Sequence, residues 1–151
     1  MTTTGLERLN CWVRAREYAN LIYHDVLPLL PVEEKYNLNS QMRRAAASIP
    51  ANIAEGYGRF YYQSNIQFCY NARGSLEELI SHLVLSHDFG YINNTVFEKA
   101  IAQGNNLDLL LNGYITYLRK TKQGEKEFNS QKSIHEEQAI YLEDNIPNQD
   151  L

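Results

Sequence analysis

Residues 41–59 constrain the fold of this chain more than any other stretch, because they place two different surfaces on one helix. At 100° per residue, the apolar side chains fall on one face and the polar side chains on another. The apolar face comprises Met42, Ala45, Ala46, Ile49, Ile53 and Tyr57. The second face, which we name the polar ladder, comprises Arg44, Ser48, Asn52, Glu55 and Arg59. This pattern predicts an amphipathic helix that packs on a core.

The same stretch is rich in residues that shape a helix backbone. Its alanines allow neighbouring helices to approach closely on more than one side. Pro50 lacks a backbone donor and presses on the carbonyl of Ala46, so a kink or a restart of the helix is expected there. Gly56 and Gly58 have the permissive backbone with which helices end. A turn is therefore expected before Phe60.

Residues 41–59 also carry a family resemblance, together with ARGSLEEL at 72–79 and FGYI at 89–92. The combination resembles small bacterial four-helix-bundle proteins encoded in intervening sequences of 23S ribosomal RNA genes, over residues 6–122. The resemblance implies a cytoplasmic antiparallel bundle that assembles into a homopentamer. A more distant relative is the accessory variability determinant of diversity-generating retroelements. That branch implies a basic surface that binds nucleic acid, RNA or DNA, and a reverse transcriptase as partner.

Hydrophobic periodicity predicts an all-α chain of four helices joined by short turns, which makes neighbouring helices antiparallel in an up-down-up-down bundle. The predicted helices are 6–30, a second starting at a cap on Asn39 or Ser40, 63–89 and 95–119. Gly90 is expected to end the third helix, and Thr95 with Glu98 to form a capping box on the fourth.

Several side chains of these helices carry specific expectations. On the first helix, the predicted core side is Leu9, Trp12, Val13, Ala19, Tyr23, Val26 and Leu30. Arg16 lies in the same apolar arc, where snorkelling to solvent is favoured over ligand binding. Arg73 and Glu77 lie one turn apart in the apolar arc of the third helix and predict a buried ion pair. Gly104 and Gly113 are expected to mark close helix contacts.

The net charge of −4 is unevenly distributed along the chain. Residues 1–124 carry 12 basic and 11 acidic side chains, a balance of +1, whereas residues 125–151 carry a balance of −5. The sequence therefore predicts a bundle domain, 1–122, and a flexible acidic tail, 123–151, with one short helix around 134–142. A balance of +1 does not by itself indicate nucleic-acid binding.

The residues needed for catalysis or metal binding do not assemble in the sequence. Cys11 and Cys69 are far apart in sequence and do not have the spacing of a zinc site or a redox motif, so they are expected to be reduced thiols. No Glu-x-x-His pair is present, and Glu78 with His82 supplies only two ligands, so surface histidines are the preferred interpretation. We therefore expect no enzyme activity, no cofactor and no metal. The N-terminus shows no signal peptide, and no apolar run is long enough to span a membrane.

Arginines and tyrosines form the candidate nucleic-acid site. The site comprises Arg43, Arg44, Arg59, Arg73, Tyr57, Tyr61 and Tyr62. Aromatic rings interleaved with cations can stack on the bases of single strands, but the same residue types also form subunit interfaces. Both alternatives remain open on the sequence alone.

The polar ladder is equally ambiguous. Ser48, Asn52 and Glu55 are expected to be structural or to lie at an interface, with a ligand site as the less favoured alternative. In the structural interpretation, Glu55 pairs with Arg59, Arg44 meets an acid on a neighbouring helix, and Asn52 satisfies backbone groups exposed by Pro50.

The sequence thus predicts a non-enzymatic oligomeric accessory protein that binds nucleic acid or a nucleoprotein partner such as a reverse transcriptase. The alternative is a protein-protein interaction scaffold without nucleic-acid binding. Oligomerisation is expected because the first and third helices carry apolar arcs wider than one core contact requires.

Overall fold

Four α-helices make up most of the structure. The computed structural model describes residues 5–122. The helices are α1 (Asn10–Leu21), α2 (Leu38–Tyr57), α3 (Tyr62–Asp88) and α4 (Asn94–Thr121). The predicted tail, 123–151, and its helix around 134–142 lie outside the described residues.

The helices form a closed ring, in which α1 packs on α2, α2 on α3, α3 on α4 and α4 on α1. Turns of four and five residues join α2 to α3 and α3 to α4, so consecutive helices run antiparallel. The predicted all-α four-helix bundle is confirmed. The turn at 58–61 joins α2 to α3, and we name this end of the bundle the α2–α3 end; α4 finishes there and α1 begins there. The opposite end is the α3–α4 end.

The apolar face predicted for α2 enters the core. Met42, Ala45, Ala46, Ile49 and Ile53 are all buried, and Tyr57 is half-buried. Burial of such side chains contributes roughly 25 cal/mol for each Å² of apolar surface removed from water. The helical spacing of these apolar residues in the sequence therefore marks the side of α2 that packs in the core.

The first helix differs from its prediction in extent. Leu6–Arg8 form a separate 3₁₀ turn, and α1 begins at Asn10. After Leu21 the chain continues as a π-helical turn, Ile22–Val26, and a 3₁₀ turn, Leu27–Leu29. The single helix predicted over 6–30 is therefore divided into pieces.

The core side predicted for the first helix is confirmed in part, since Leu9, Val26 and Leu30 are buried. Cys11, Ala15 and Tyr18 enter the core, whereas Trp12 and Tyr23 are only half-buried. The apolar arc of this helix is wide enough for two overlapping faces, and periodicity does not distinguish them. The half-buried side chains are left on the surface between α1 and α2.

The start of α2 was predicted two or three residues too late, since the residue that precedes the helix is Asn37. The helix begins at Leu38, whose backbone N–H donates to Glu34 Oε2 at 3.2 Å. A carboxylate from the preceding 3₁₀ turn thus binds a free amide of the first turn, where negative charge is favourable. Neither Asn39 nor Ser40 is the cap.

The cap of α4 was also misassigned. Asn93 precedes the helix, and its Oδ1 accepts from the backbone N–H of Val96 at 3.0 Å. The capping box of Thr95 and Glu98 is therefore wrong, because an asparagine two residues earlier supplies the cap. The predicted end of α3 at Gly90 is confirmed by a left-handed φ of 78°.

Gly58 caps the C-terminal end of α2 as predicted, whereas Gly56 does not end the helix. The helix runs through Pro50 from Leu38 to Tyr57 without a restart. Gly56 is not a stop signal: a Cβ there would lie 2.6 Å from Asn65 Oδ1 and 2.9 Å from Phe68 Cβ. The glycine permits close approach of α2 to α3, and its backbone φ is not left-handed.

Two glycines of α4 have opposite surroundings. A Cβ on Gly104 would lie 2.7 Å from the Tyr18 hydroxyl, so the predicted close contact is confirmed. That hydroxyl donates to the carbonyl of Ala100 at 2.9 Å, which fixes the ring between α1 and α4. A Cβ on Gly113 would meet nothing within 4 Å, so the contact predicted there is wrong.

Candidate nucleic-acid interface

Two arginines from different helices share one aromatic ring. Arg73 on α3 lies 4.9 Å from the Tyr70 ring centroid, and Arg119 on α4 lies 5.5 Å from it. Arg73 Nη1 also donates to Asn112 Oδ1 at 2.9 Å. These contacts hold guanidinium groups from α3 and α4 against the same ring. Both positive charges would attract an anion bound at this position.

The predicted ion pair between Arg73 and Glu77 is therefore wrong. Glu77 is exposed, while Arg73 crosses to Asn112. The same Asn112 side chain donates from Nδ2 to Asp108 Oδ2 at 3.2 Å, so one amide links Arg73 to a carboxylate on α4. Arg73 therefore makes no direct ion pair with a described residue, and its guanidinium can still contact an anion.

Further cations gather toward the same end of the bundle. Arg59 lies 5.0 Å from the Phe68 ring centroid, and Arg8 is close enough to Tyr57 to lower its pKa, although burial of that hydroxyl raises it more. The last turn of α4 adds Lys120, and Lys122 follows the helix. We name this set the basic end: Arg8, Arg59, Arg73, Arg119, Lys120 and Lys122. Within residues 5–122, Arg59 is the one member of this set that forms an ion pair, with Glu55 at 3.0 Å.

Five of the eleven acidic residues within 5–122 lie near the opposite end. The topology brings the last turns of α1, the segment before α2, the end of α3 and the start of α4 to the α3–α4 end. The acids there are Asp25, Glu33, Glu34, Asp88 and Glu98. Glu7 and Glu55 lie at the basic end, and Lys35 and Lys99 lie at the opposite end, so the charge separation along the axis is partial. Such a charge separation can orient an approaching polyanion.

Tyr61 presents the most accessible ring among the three predicted tyrosines. It is 59% exposed and lies in an edge-to-face contact with Phe60 at 5.0 Å. Tyr57 and Tyr62 are half-buried, and a Cβ on Gly5 would lie 2.9 Å from the Tyr57 hydroxyl. One exposed ring beside the basic end is therefore available for stacking on a base.

The seven predicted site residues do not form one patch. Arg59 and the tyrosines lie at the α2–α3 end, and Arg73 lies farther along α3. Arg43 lies on the surface between α1 and α2, 4.6 Å from the Tyr23 ring centroid. Arg43 precedes Arg59 by sixteen positions, most of them in α2, which corresponds to about 24 Å along the helix axis. Arg44 is exposed near Arg43.

Sequence reasoning missed four members of the basic end. Arg119, Lys120 and Lys122 form a visible run at the end of α4, and Arg8 stands alone before α1. The run could have been recognised as a charge cluster. Its proximity to Arg73 depends on the bundle topology.

The polar ladder contributes to helix packing. Ser48 Oγ lies 3.0 Å from Ser75 Oγ across the contact of α2 with α3. Asn52 Nδ2 donates to the Ser48 carbonyl and to its Oγ, both at 2.9 Å. Asn52 thus bonds a different carbonyl from that of Ala46, which Pro50 deprives of its donor.

The charged members of the ladder behave differently from one another. The predicted pair of Glu55 and Arg59 is present. The acid expected beside Arg44 is not found among the residues that the structure describes. Exposed pairs such as Glu55–Arg59 contribute little to stability, about 0.3–0.5 kcal/mol.

The histidines and acids described by the structure do not build a metal centre. No group of three or more His, Cys, Asp or Glu side chains within 5–122 is arranged to hold a metal ion. His82 lies 3.4 Å from Glu78 Oε1, and His87 stacks on Phe97 at 4.3 Å. Both histidines are half-buried, so each lies at the surface with part of its ring covered.

Both thiols are buried in the core. Cys11 and Cys69 are free, and Cys69 Sγ lies 3.6 Å from Asn65 Oδ1. Burial raises the pKa of Cys69 to about 12 and the pKa of Cys11 well above its ordinary value. At neutral pH both remain protonated, which makes them poor nucleophiles.

The raised thiol pKa values predict a loss of stability in alkali. The unfolded thiol ionises near its ordinary pKa of 9.0, whereas folded Cys69 does so only near 12. Stability from this group is therefore complete below pH 9 and falls between pH 9 and 12, by up to about 1.4 kcal/mol per pH unit. Urea midpoints measured at pH 8, 9.5 and 10.5 should fall, and less steeply in Cys69→Ala. Constant midpoints would contradict this expectation.

A helix that spans a membrane needs about 20 consecutive apolar residues. Within residues 5–122, no helix contains an apolar stretch long enough to cross a bilayer. The four amphipathic helices bury their apolar faces against one another instead.

Comparison with known proteins places the sequence in a family. A family model described as 23S rRNA-intervening sequence protein matches residues 7–113. The matched range includes Arg59 and Arg73 and ends before Arg119. A comparison with curated proteins finds no match. Because the family model spans well over half of the sequence, this chain belongs to the 23S rRNA-intervening sequence protein family.

Proposed function

We propose that this protein is a non-enzymatic, cytoplasmic accessory protein that binds RNA or DNA through its basic end. The observation that carries the proposal is the pair of arginines on one ring: Arg73 and Arg119 both lie on Tyr70, and neither forms a direct ion pair with another described residue. The family description, which names ribosomal RNA, supports a role connected with RNA.

The chemistry of the basic end suits phosphate. Guanidinium groups present several N–H donors in a plane and can bind phosphate oxygens in pairs. Tyr70 and Asn112 restrict the motion of Arg73, so less conformational entropy is lost on binding. Tyr61 adds an exposed ring for one unpaired base. Such a surface favours single strands and reads the backbone more than the sequence.

The protein is proposed to act as an oligomer, with the homopentamer implied by the family resemblance as the expected form. Exposed apolar side chains support a subunit contact: Leu109 on α4 is 71% exposed, and Val84 and Leu85 on α3 are also exposed. Repeating the basic end on every subunit would let several weak phosphate sites act on one strand together. A nucleoprotein partner such as a reverse transcriptase complex could be engaged through the strand it carries.

A protein-protein scaffold without nucleic-acid binding is the alternative function. The observation that favours it is the same set of exposed apolar side chains, since patches of this kind commonly contact proteins. Recovery of partners from the native host with and without nuclease would separate the two functions. Partners retained after nuclease treatment would favour the scaffold.

Binding to a labelled single-stranded RNA of mixed sequence tests the proposed function directly. If about five phosphates are neutralised at each basic end, log K should fall with log salt at a slope of about 3.5. Affinity would then drop roughly 100-fold between 50 and 200 mM salt. A second RNA of unrelated sequence should bind equally well. Absence of binding at 50 mM salt, or a slope near zero, would exclude the basic end as a phosphate site.

A further inference from the structure

Asp108 is a half-buried carboxylate to which the proposed function gives no role. It lies on α4 one turn before Asn112, and its Oδ2 accepts from Asn112 Nδ2 at 3.2 Å. Its Oδ1 is buried and accepts no hydrogen bond from another described residue. Because a buried oxygen without a donor is costly, hydrogen bonding explains only part of the presence of a carboxylate here. The rest of the explanation lies in what Asp108 does to its neighbours.

The amide of Asn112 has one orientation that satisfies both of its neighbours. A guanidinium group carries only donors, and an ionised carboxylate carries only acceptors. Asn112 Oδ1 accepts from Arg73 Nη1 at 2.9 Å, while Asn112 Nδ2 donates to Asp108. If the amide turned over, its donor would face the guanidinium and its oxygen would face the carboxylate. Asp108 therefore fixes the orientation in which Asn112 holds Arg73.

The same arrangement keeps the carboxylate away from Arg73. With the amide between them, Asp108 Oδ2 lies up to about 8 Å from Arg73 Nη1, whereas a directly bonded carboxylate oxygen would lie about 3 Å away. Coulomb attraction is inversely proportional to distance, so Asp108 offsets the charge of Arg73 roughly two to three times less than a direct partner would. Arg73 is thus held in place without being neutralised.

We propose that Asp108 is a positioning residue for the phosphate site of Arg73, acting through Asn112. The inference rests on the proposed function, since it takes phosphate as the ligand of Arg73. The order of the two side chains is the determining feature. An amide next to Arg73 orients the guanidinium and leaves its charge available to phosphate, whereas a carboxylate in that place would bind the guanidinium itself.

Exchange of the two side chains tests this order directly. Asp108→Asn with Asn112→Asp, which we name the exchanged variant, keeps the net charge and brings the carboxylate into contact with Arg73. Affinity for the labelled single-stranded RNA should fall about tenfold, the effect of one lost phosphate contact. The slope of log K against log salt should decrease by about 0.7. Circular dichroism should show an intact bundle.

Two single substitutions separate positioning from net charge. Asp108→Asn and Asp108→Ala remove the same negative charge, but only asparagine keeps an oxygen that can accept from Asn112. The change of charge alone favours RNA binding equally in both variants. Loss of the fixed amide should make the affinity of Asp108→Ala at least about threefold lower than that of Asp108→Asn. Equal affinities would contradict a positioning role.

Chemical labelling provides a measurement that does not require RNA. Phenylglyoxal reacts with accessible guanidinium groups, and a carboxylate bound directly to such a group hinders the reaction. Mass spectrometry of the labelled peptides should show slower modification of Arg73 in the exchanged variant than in the wild type. Arg119, which is exposed and lies on the same Tyr70 ring, is the internal control and should react at an unchanged rate.

These measurements distinguish failure of this inference from failure of the proposed function. If the wild type binds no RNA, the proposed function fails, and the labelling rate of Arg73 still decides the inference. Wild-type RNA affinity in the exchanged variant, or an unchanged rate of Arg73 labelling in it, would overturn the inference. If the exchanged variant does not fold, the comparison of Asp108→Asn with Asp108→Ala decides.

Discussion

Gly56→Ala is expected to lower the free energy of unfolding by about 2 kcal/mol, because the added methyl group has no room at the contact of α2 with α3. A Cβ at this position would lie 2.6 Å from Asn65 Oδ1 and 3.0 Å from the Asn65 carbonyl. The backbone atom cannot rotate away, so the helices must separate. Separation would strain the buried bond from Asn65 Nδ2 to the Tyr114 hydroxyl, now 3.0 Å.

Gly113→Ala is the matched control, since it makes the same chemical change in a helix with open space around it. It should raise stability by about 1 kcal/mol through helix propensity alone. Urea denaturation of both variants at pH 7 measures the contrast. If Gly56→Ala instead stabilised the protein, the close contact of α2 with α3 would not require a glycine at this position.

Reversal of charge at Arg73 and Arg119 should have the largest effect on RNA binding. Arg73→Glu with Arg119→Glu removes two phosphate contacts and places acids on either side of the expected strand. At roughly tenfold for each lost contact, affinity should decrease at least about 100-fold. The slope of log K against log salt should also decrease, by about 1.4.

Arg43→Glu with Arg44→Glu controls for net charge, because it makes the same change on the surface of α1 and α2. This variant should bind RNA within a few-fold of the wild type at 100 mM salt. Light scattering should show that both variants keep the wild-type mass. An equal loss of affinity in the two variants would mean that binding depends on overall charge and that the basic end has no special role.

The core of α2 could be predicted from sequence because only one face of that helix is consistently apolar. Met42, Ile49 and Ile53 repeat at helical spacing with polar residues between them, and turn signals mark both ends. On α1 the same reasoning chose Trp12 and Tyr23 over Cys11 and Tyr18. Both sets have helical spacing, and the choice is made by the neighbouring helices, which periodicity along one helix does not describe.

The candidate site was harder to predict because its contacts join distant positions. Arg73 donates to Asn112 and shares the Tyr70 ring with Arg119. Arg73 and Tyr70 lie on α3, whereas Asn112 and Arg119 lie about 40 residues later on α4. A nearby glutamate looked like the natural partner of Arg73, but the side chain turns toward α4. Likewise, Gly56 resembled a helix stop, although its role is set by Asn65 across the interface.

Crosslinking of bound RNA to tyrosine tests the central claim most directly, because the chain carries exposed tyrosines at both ends of the bundle. Tyr61 lies at the α2–α3 end, whereas Tyr36, 87% exposed, lies before α2 near the α3–α4 end with Lys35 5.3 Å from its ring. Ultraviolet irradiation of a complex with single-stranded RNA, followed by mass spectrometry, should locate adducts on Tyr61 and Tyr70 and leave Tyr36 unmodified. Adducts confined to Tyr36 would place the nucleic acid at the α3–α4 end and contradict binding through the basic end.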